Sequence, residues 1–162
     1  MDIADRAKRV KLLILDVDGT LTDGRLYYGA SGEEMKVFHV HDGYGIKQWH
    51  DAGGRSAIIS GRKSAIVKKR AEELGIEFVY QDRDDKATAF AELLPAANVS
   101  VDECCFVGDD TLDMQVMELV GFAVVVANAH DDAKSAAHHI TKLGGGRGAV
   151  REVTDLLIGA RS

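Results

Sequence analysis

The sequence predicts an α/β protein, a Rossmann-like parallel sheet flanked by helices. Three observations carry this. Short apolar runs recur at residues 11–16, 56–60, 77–81, 104–108 and 122–126, and their length suits strands buried on both faces. Stretches with helical spacing separate them, which is the alternation of a parallel sheet with helical crossovers. A chain of 162 residues with 46% hydrophobic content is long enough for one well-cored domain and short for two, so a single domain over residues 1–162 is expected.

The first run, KLLILD, reads as the opening strand. RLYYGASGEEMKVFHV, about residues 25–40, places aromatic and β-branched ends around a Gly-Ala-Ser-Gly turn and predicts a β-hairpin. A helix is expected near Gly45–Ala52. Ser64–Leu74 sets Val67, Ala71 and Leu74 on one helical face and stops at Gly75. Asp84 or Asp85 caps a helix through Ala87, Phe90, Ala91 and Leu94, ended near Pro95, the only proline. Asp110 or Thr111 starts another through Met114, Met117 and Leu119. Cys104 and Cys105 are adjacent, a spacing suited neither to a structural disulfide nor to zinc, and read as strand residues. In the tail, about 144–160, a glycine cluster signals a mobile hinge or close backbone approach, and precedes an amphipathic helix with Val150, Val153, Leu156 and Leu157.

A net charge of -6 argues against nucleic acid as partner, because binding its backbone draws on clustered Lys and Arg. No apolar run approaches a membrane span, and MDIADRAKR lacks the apolar core of a signal peptide. No membrane partner and a cytoplasmic location are expected.

In open α/β sheets, ligands bind beyond the carboxyl ends of the strands, and the chemically capable side chains fall there. Asp16 and Asp18 follow the first strand, two residues apart, so both carboxylates can face one site, where their repulsion calls for a cation. Mg²⁺ suits such oxygen donors. Asp109 ends the CCFVG run, Ser60 ends SAIIS, and Lys86 follows the next strand. An aspartate is anionic near neutral pH and can attack phosphorus without a base. Asp16 is therefore the candidate nucleophile. Asp18 is the candidate acid and base, while Ser60, Lys86 and Mg²⁺ would stabilise the phosphoryl oxygens. Singly, each has a plain alternative: a turn for Asp-x-Asp, a helix cap for Ser60 or Asp109–Asp110, a solvated Lys86. Together they occur in chain order at successive strand ends.

DVDGT, Ser60 of ISGR, Lys86 and GDDTLD resemble the four motifs of the haloacid dehalogenase superfamily of phosphotransferases. More narrowly, FHVHDGYGIKQW, ISGRKS, GDDTLDMQVM and GGGRGAVREV are similar to the 3-deoxy-D-manno-octulosonate 8-phosphate phosphatase family over nearly the whole chain. That resemblance implies a Mg²⁺-dependent phosphatase of a small phosphorylated sugar acid in lipopolysaccharide sugar synthesis, with a small hairpin in place of a cap domain. It also implies a homo-oligomer, a tetramer in which hairpins meet and a neighbour's tail closes the site. By the same resemblance, Asp16, the Asp18 carbonyl and Asp109 bind the metal, Ser60 and Gly61 the phosphate, and Arg62 and Arg147 the substrate. Asp110 and Asp113 support the metal or Lys86. His41, the acidic QDRDDK before Lys86, and Asn128 of Asn-Ala-His depart from the family pattern, which leaves a related nine-carbon sugar-acid phosphate as an alternative substrate. A signalling receiver domain also gathers acids, a hydroxyl and a lysine, but its phosphoacceptor would lie on a middle strand, where Asp82 alone is available. A non-catalytic assembly module would have no use for the full acid, Ser and Lys set.

Overall fold

The protein is described by a computed structural model covering residues 1–161, the side chain of Glu34 excepted; Ser162 of the expected domain lies outside the described residues. In chain order its elements are α1 (Ile3–Arg9), β1 (Leu12–Leu15), β2 (Tyr27–Gly29), β3 (Gly32–Met35), α2 (Val40–Asp51), β4 (Arg55–Ile59), α3 (Ala65–Leu74), β5 (Phe78–Tyr80), α4 (Lys86–Ala97), β6 (Cys104–Gly108), α5 (Met114–Met117), β7 (Phe122–Val125), α6 (Asp131–Ala136), β8 (His139–Ile140) and α7 (Ala149–Gly159).

Six strands form one parallel sheet in the order β5-β4-β1-β6-β7-β8. The chain fills one side of β1 first and the other side afterwards. β1 is thus central, with Leu15 level with Ile58 of β4 and Val107 of β6. Every residue of β1, β6 and β7 is buried, as a sheet covered on both faces requires. This reversal of winding beside β1 opens the crevice in which α/β sheets bind ligands.

The hairpin stands apart as a two-stranded antiparallel sheet of β2 and β3. α3 ends as expected, with Gly75 in the left-handed region at φ 70°. Two helices differ from the sequence reading. α4 runs two residues beyond Pro95 and closes on a left-handed Asn98, because near the helix end proline forfeits only one backbone bond. The helix expected through Leu119 is instead a 3₁₀ turn, Thr111–Asp113, followed by the four residues of α5, leaving Leu119 outside and 49% exposed. α1, α6 and β8 carried too few periodic residues to be anticipated.

Candidate active site

β1 delivers Asp16 to the carboxyl edge of the sheet. The Asp16 N–H still donates to the Val107 carbonyl, 3.0 Å away, so the residue is held as the last rung of the ladder and is buried, 6% exposed. On one flank β4 runs out into Ser60, and on the other β6 runs out into Asp109. Lys86 is the first residue of α4, behind a cap in which Asp85 Oδ1 accepts from the Thr88 N–H at 2.9 Å. These segments surround a cavity of about 250 Å³ lined by Asp16, Asp18, Ser60, Gly61, Arg62, Asp84, Lys86, Asp110, Leu112 and Asp113.

Lys86 Nζ donates to Asp16 Oδ1 at 2.8 Å and to Asp113 Oδ1 at 2.6 Å. Burial disfavours its charge, yet the Asp16 and Asp113 carboxylates outweigh that and hold its pKa above the ordinary value. Burial, then the Asp113 charge, pushes Asp16 up to about 7 even though Lys86 pulls it down. Burial, then Asp16 and Asp113, pushes Asp109 up to about 8.

Carboxylates in this state call for a cation. Oxygens of Asp16, Asp109 and Asp113 lie within 4.8 Å of one another, but Asp113 is already engaged. Its Oδ1 accepts from Lys86, and its Oδ2 accepts from the backbone N–H groups of Asp109 and Asp110 at 2.8 and 3.1 Å. Both Asp113 oxygens are taken, whereas Asp16 commits only Oδ1 to Lys86, so Asp16 and Asp109 are the pair with oxygens left for a cation, and hard donors of this kind fit Mg²⁺. Gly19 makes their approach possible, since a Cβ there would stand 1.9 Å from Asp109 Oδ2.

The other expected residues divide. Ser60 is buried, and its Oγ accepts from the Arg62 N–H at 3.4 Å. Arg62 is at the rim, donating to the Tyr28 hydroxyl and lying 3.7 Å from Asp18 Oδ2. Asp110 lines the cavity, but its carboxylate accepts from the Thr111 N–H at 2.7 Å and caps the 3₁₀ turn; it supports neither Lys86 nor the acidic pair directly. Arg147 is exposed and is not among the residues lining the cavity. Of the two roles open to the glycines around it, the structure shows close approach: Gly146 N–H donates to the Thr20 carbonyl at 3.0 Å, Gly145 N–H donates to Asn128 Oδ1 at 3.0 Å, and a Cβ on Gly145 would fall 1.8 Å from the Gly19 oxygen. The strap is thereby laid on the same loop that carries Asp18 to Asp23.

Sequence reasoning missed Tyr28, Glu33 and Lys36 of the hairpin. Lys36 Nζ donates to Asp18 Oδ1 at 2.6 Å and lies 3.2 Å from Glu33. The one local signal was the pair of opposite charges three residues apart in GEEMK. It also missed Asp42, buried on α2, whose Oδ1 accepts from the Arg151 N–H at 2.9 Å at the start of α7.

Residues 77–148 match the family model of haloacid dehalogenase-like hydrolases. The chain is 46% identical over 157 residues to the 3-deoxy-D-manno-octulosonate 8-phosphate phosphatase of Escherichia coli strain K12, covering 97% of this chain and 84% of the relative. The crystal structure of the Yersinia pestis enzyme of that name superposes with a TM-score of 0.96 at 44% identity, over 99% of this chain and 86% of that one. The Moraxella catarrhalis enzyme, crystallised with a magnesium ion, a phosphate ion and a KDO molecule, gives 0.95 at 40% identity over 98% and 91%.

Proposed function

Because this chain belongs to the 3-deoxy-D-manno-octulosonate 8-phosphate phosphatases, a family of haloacid dehalogenase-like hydrolases, we propose that it releases phosphate from that eight-carbon sugar-acid phosphate through an aspartyl-phosphate on Asp16. The observation that carries the reading is the buried Asp16 carboxylate at the end of the central strand, bonded to Lys86 and faced by Asp109.

An Asp16 oxygen bonds to phosphorus as the ester P–O bond breaks. The electron pair leaves with the alkoxide oxygen, which takes the proton of the Asp18 carboxyl. Water then attacks the aspartyl-phosphate, returns a proton to Asp18 and restores Asp16 as inorganic phosphate departs. Lys86 opposes the upward push of burial on Asp16 and, with the Ser60 hydroxyl and Gly61, would receive the phosphoryl oxygens. Asp16, Asp109 and the Asp18 carbonyl would hold Mg²⁺, which supplies positive charge for the transferring group. Arg62, which lines the cavity at its rim, would meet the sugar acid.

The hairpin and the start of α2 expose Tyr27, Met35, Val37, Val40 and Tyr44, apolar side chains suited to contact with a second copy of the chain. A tetramer joined there, with Arg147 offered to a neighbour's substrate, in the cytoplasm, completes the proposal. Among the described residues no helix is long and apolar enough to cross a membrane.

The test is phosphate release by purified protein with Mg²⁺ from a panel of eight- and nine-carbon sugar-acid phosphates. The eight-carbon ester should give the highest kcat/KM, and chelation should stop the reaction until Mg²⁺ is restored. Preference for a nine-carbon ester would overturn the substrate, and undiminished turnover by Asp16→Asn would overturn the mechanism.

A further inference from the structure

Asp18 has one more partner than the reaction requires. Lys36 follows β3 of the hairpin, and its side chain is 2% exposed, a degree of burial that lysine accepts only when paired. Nζ donates to Asp18 Oδ1 at 2.6 Å and lies 3.2 Å from Glu33 Oε2. Glu33 is itself tied down, because its Oε1 accepts from Ser64 Oγ at 2.6 Å and Ser64 N–H donates to Gln81 Oε1 at 2.8 Å. Ser64 is the residue from which α3 starts. A chain of polar contacts therefore runs from the head of α3 through the hairpin to the carboxylate of Asp18. Arg62 reaches the same carboxylate from farther away, 3.7 Å, and is 41% exposed. Although it also lies 3.6 Å from Glu33, its exposure at the rim lets it turn to substrate where the buried Lys36 cannot.

From this geometry we infer that Lys36 is a positioning residue: it fixes the Asp18 carboxyl in the one orientation that faces the leaving-group oxygen, and so makes the hairpin part of the catalytic apparatus of its own chain. The inference rests on the acid and base role proposed for Asp18. Side-chain orientation is worth much of a general acid's effect, since proton transfer needs heavy atoms within hydrogen-bond reach. A hydrogen bond at 2.6 Å to Oδ1 from an ammonium that is buried and anchored at a second point restricts the Asp18 rotamer more than an exposed pair would, and leaves Oδ2 to carry the proton. Lys36 has its ammonium shared between two carboxylates, which separates this role from direct substrate binding.

The two half-reactions provide a readout that a merely structural role would not move. kcat/KM reports events through breakage of the ester bond. A sugar or other alkyl phosphate needs its leaving oxygen protonated at that point, whereas p-nitrophenyl phosphate releases a stabilised anion and does not. Lys36→Met, assayed with Mg²⁺, should therefore lose about tenfold or more in kcat/KM on an alkyl phosphate that the wild type hydrolyses, and less than about threefold on p-nitrophenyl phosphate. Lys36→Arg should recover most of the loss. Equal losses on both esters, no loss on the alkyl ester, or a raised KM with unchanged kcat would each overturn the inference, the last by making Lys36 a substrate contact. Glu33→Gln keeps the lysine but loosens its anchor, and should show the same split at smaller size; absence of the split there would also overturn it, whether or not the methionine variant folds. Any alkyl phosphate turned over by the wild type serves, so rejection of the eight-carbon sugar acid would remove the proposed substrate and leave the role of Lys36 decided on its own.

Discussion

At the residue scale the site depends on Asp113 as much as on the groups that touch substrate. Its two oxygens hold Lys86 and the backbone of Asp109 and Asp110, so Asp113→Ala leaves the lysine with Asp16 alone and strands two N–H groups at once. Turnover should fall by about 10–100-fold, as for outer partners of a metal site, with a weaker Mg²⁺ response; a steady-state Mg²⁺ titration measures both. His138 gives a pH effect away from the chemistry. Its Nδ1 accepts from the Ala123 N–H at 2.9 Å, and burial, then Arg6 and the N-terminus, hold its pKa below the ordinary 6.5. Between the folded and unfolded values the unfolded chain binds more protons, so stability is lost as pH falls below 6.5 and the loss levels off once the folded imidazole also protonates. Melting temperature should drop between pH 7.5 and 5.5 by more in the wild type than in His138→Gln, and parallel curves would exclude His138 as the cause.

At the scale of elements, α7 begins without a side-chain cap of its own, because Gly148 occupies the cap position. Asp42 of α2 supplies the acceptor across the fold through Arg151 N–H. Asp42→Ala should cost about 1–2 kcal/mol, the worth of a helix cap, and Asp42→Asn, which keeps an acceptor, clearly less; denaturant unfolding of the two variants checks the order. Burial raises the Asp42 pKa although the α7 amides oppose it, so the neutral amide gives up little. The strap before α7 makes a parallel case. Gly145→Ala would drive a methyl into the Gly19 and Thr22 carbonyls, and overpacking of this kind costs about 1–3 kcal/mol. Because Gly19 adjoins the Asp109 carboxylate, weaker Mg²⁺ activation should accompany the lower melting temperature.

For the molecule as a whole, the hairpin is the element that a single copy explains least well. A two-stranded sheet is marginal by itself, and this one leaves the cross-strand pair Tyr27 and Met35 exposed, Met35 by more than half. Assembly through that face would cover them. Met35→Asp should shift the protein to a smaller species in light scattering; an unchanged mass would place the contact elsewhere or leave the chain alone. If Lys36 acts as inferred, hairpin order and the orientation of Asp18 are linked, and a smaller species should lose more activity on alkyl phosphates than on p-nitrophenyl phosphate.

Asp16, Asp18, Ser60, Lys86 and Asp109 were legible in the sequence because each follows a local apolar or helical pattern whose end can be counted along the chain. The alternation of those patterns likewise determined a parallel α/β sheet, and the chemistry of carboxylates, a hydroxyl and a lysine at strand ends determined phosphoryl transfer with a divalent cation. The tertiary structure decided what local pattern does not encode. It placed β1 between β4 and β6, so that Ser60 and Asp109 flank Asp16. It turned the tail glycines from an open choice of hinge or contact into a backbone packed on Gly19. It joined Asp42 to the start of α7 across 109 residues and brought Lys36 onto Asp18. The reason is physical: a strand or helix is specified by the periodicity of its own residues, whereas the partner of a buried charge or a side-chain-free glycine is selected by which distant surfaces pack together.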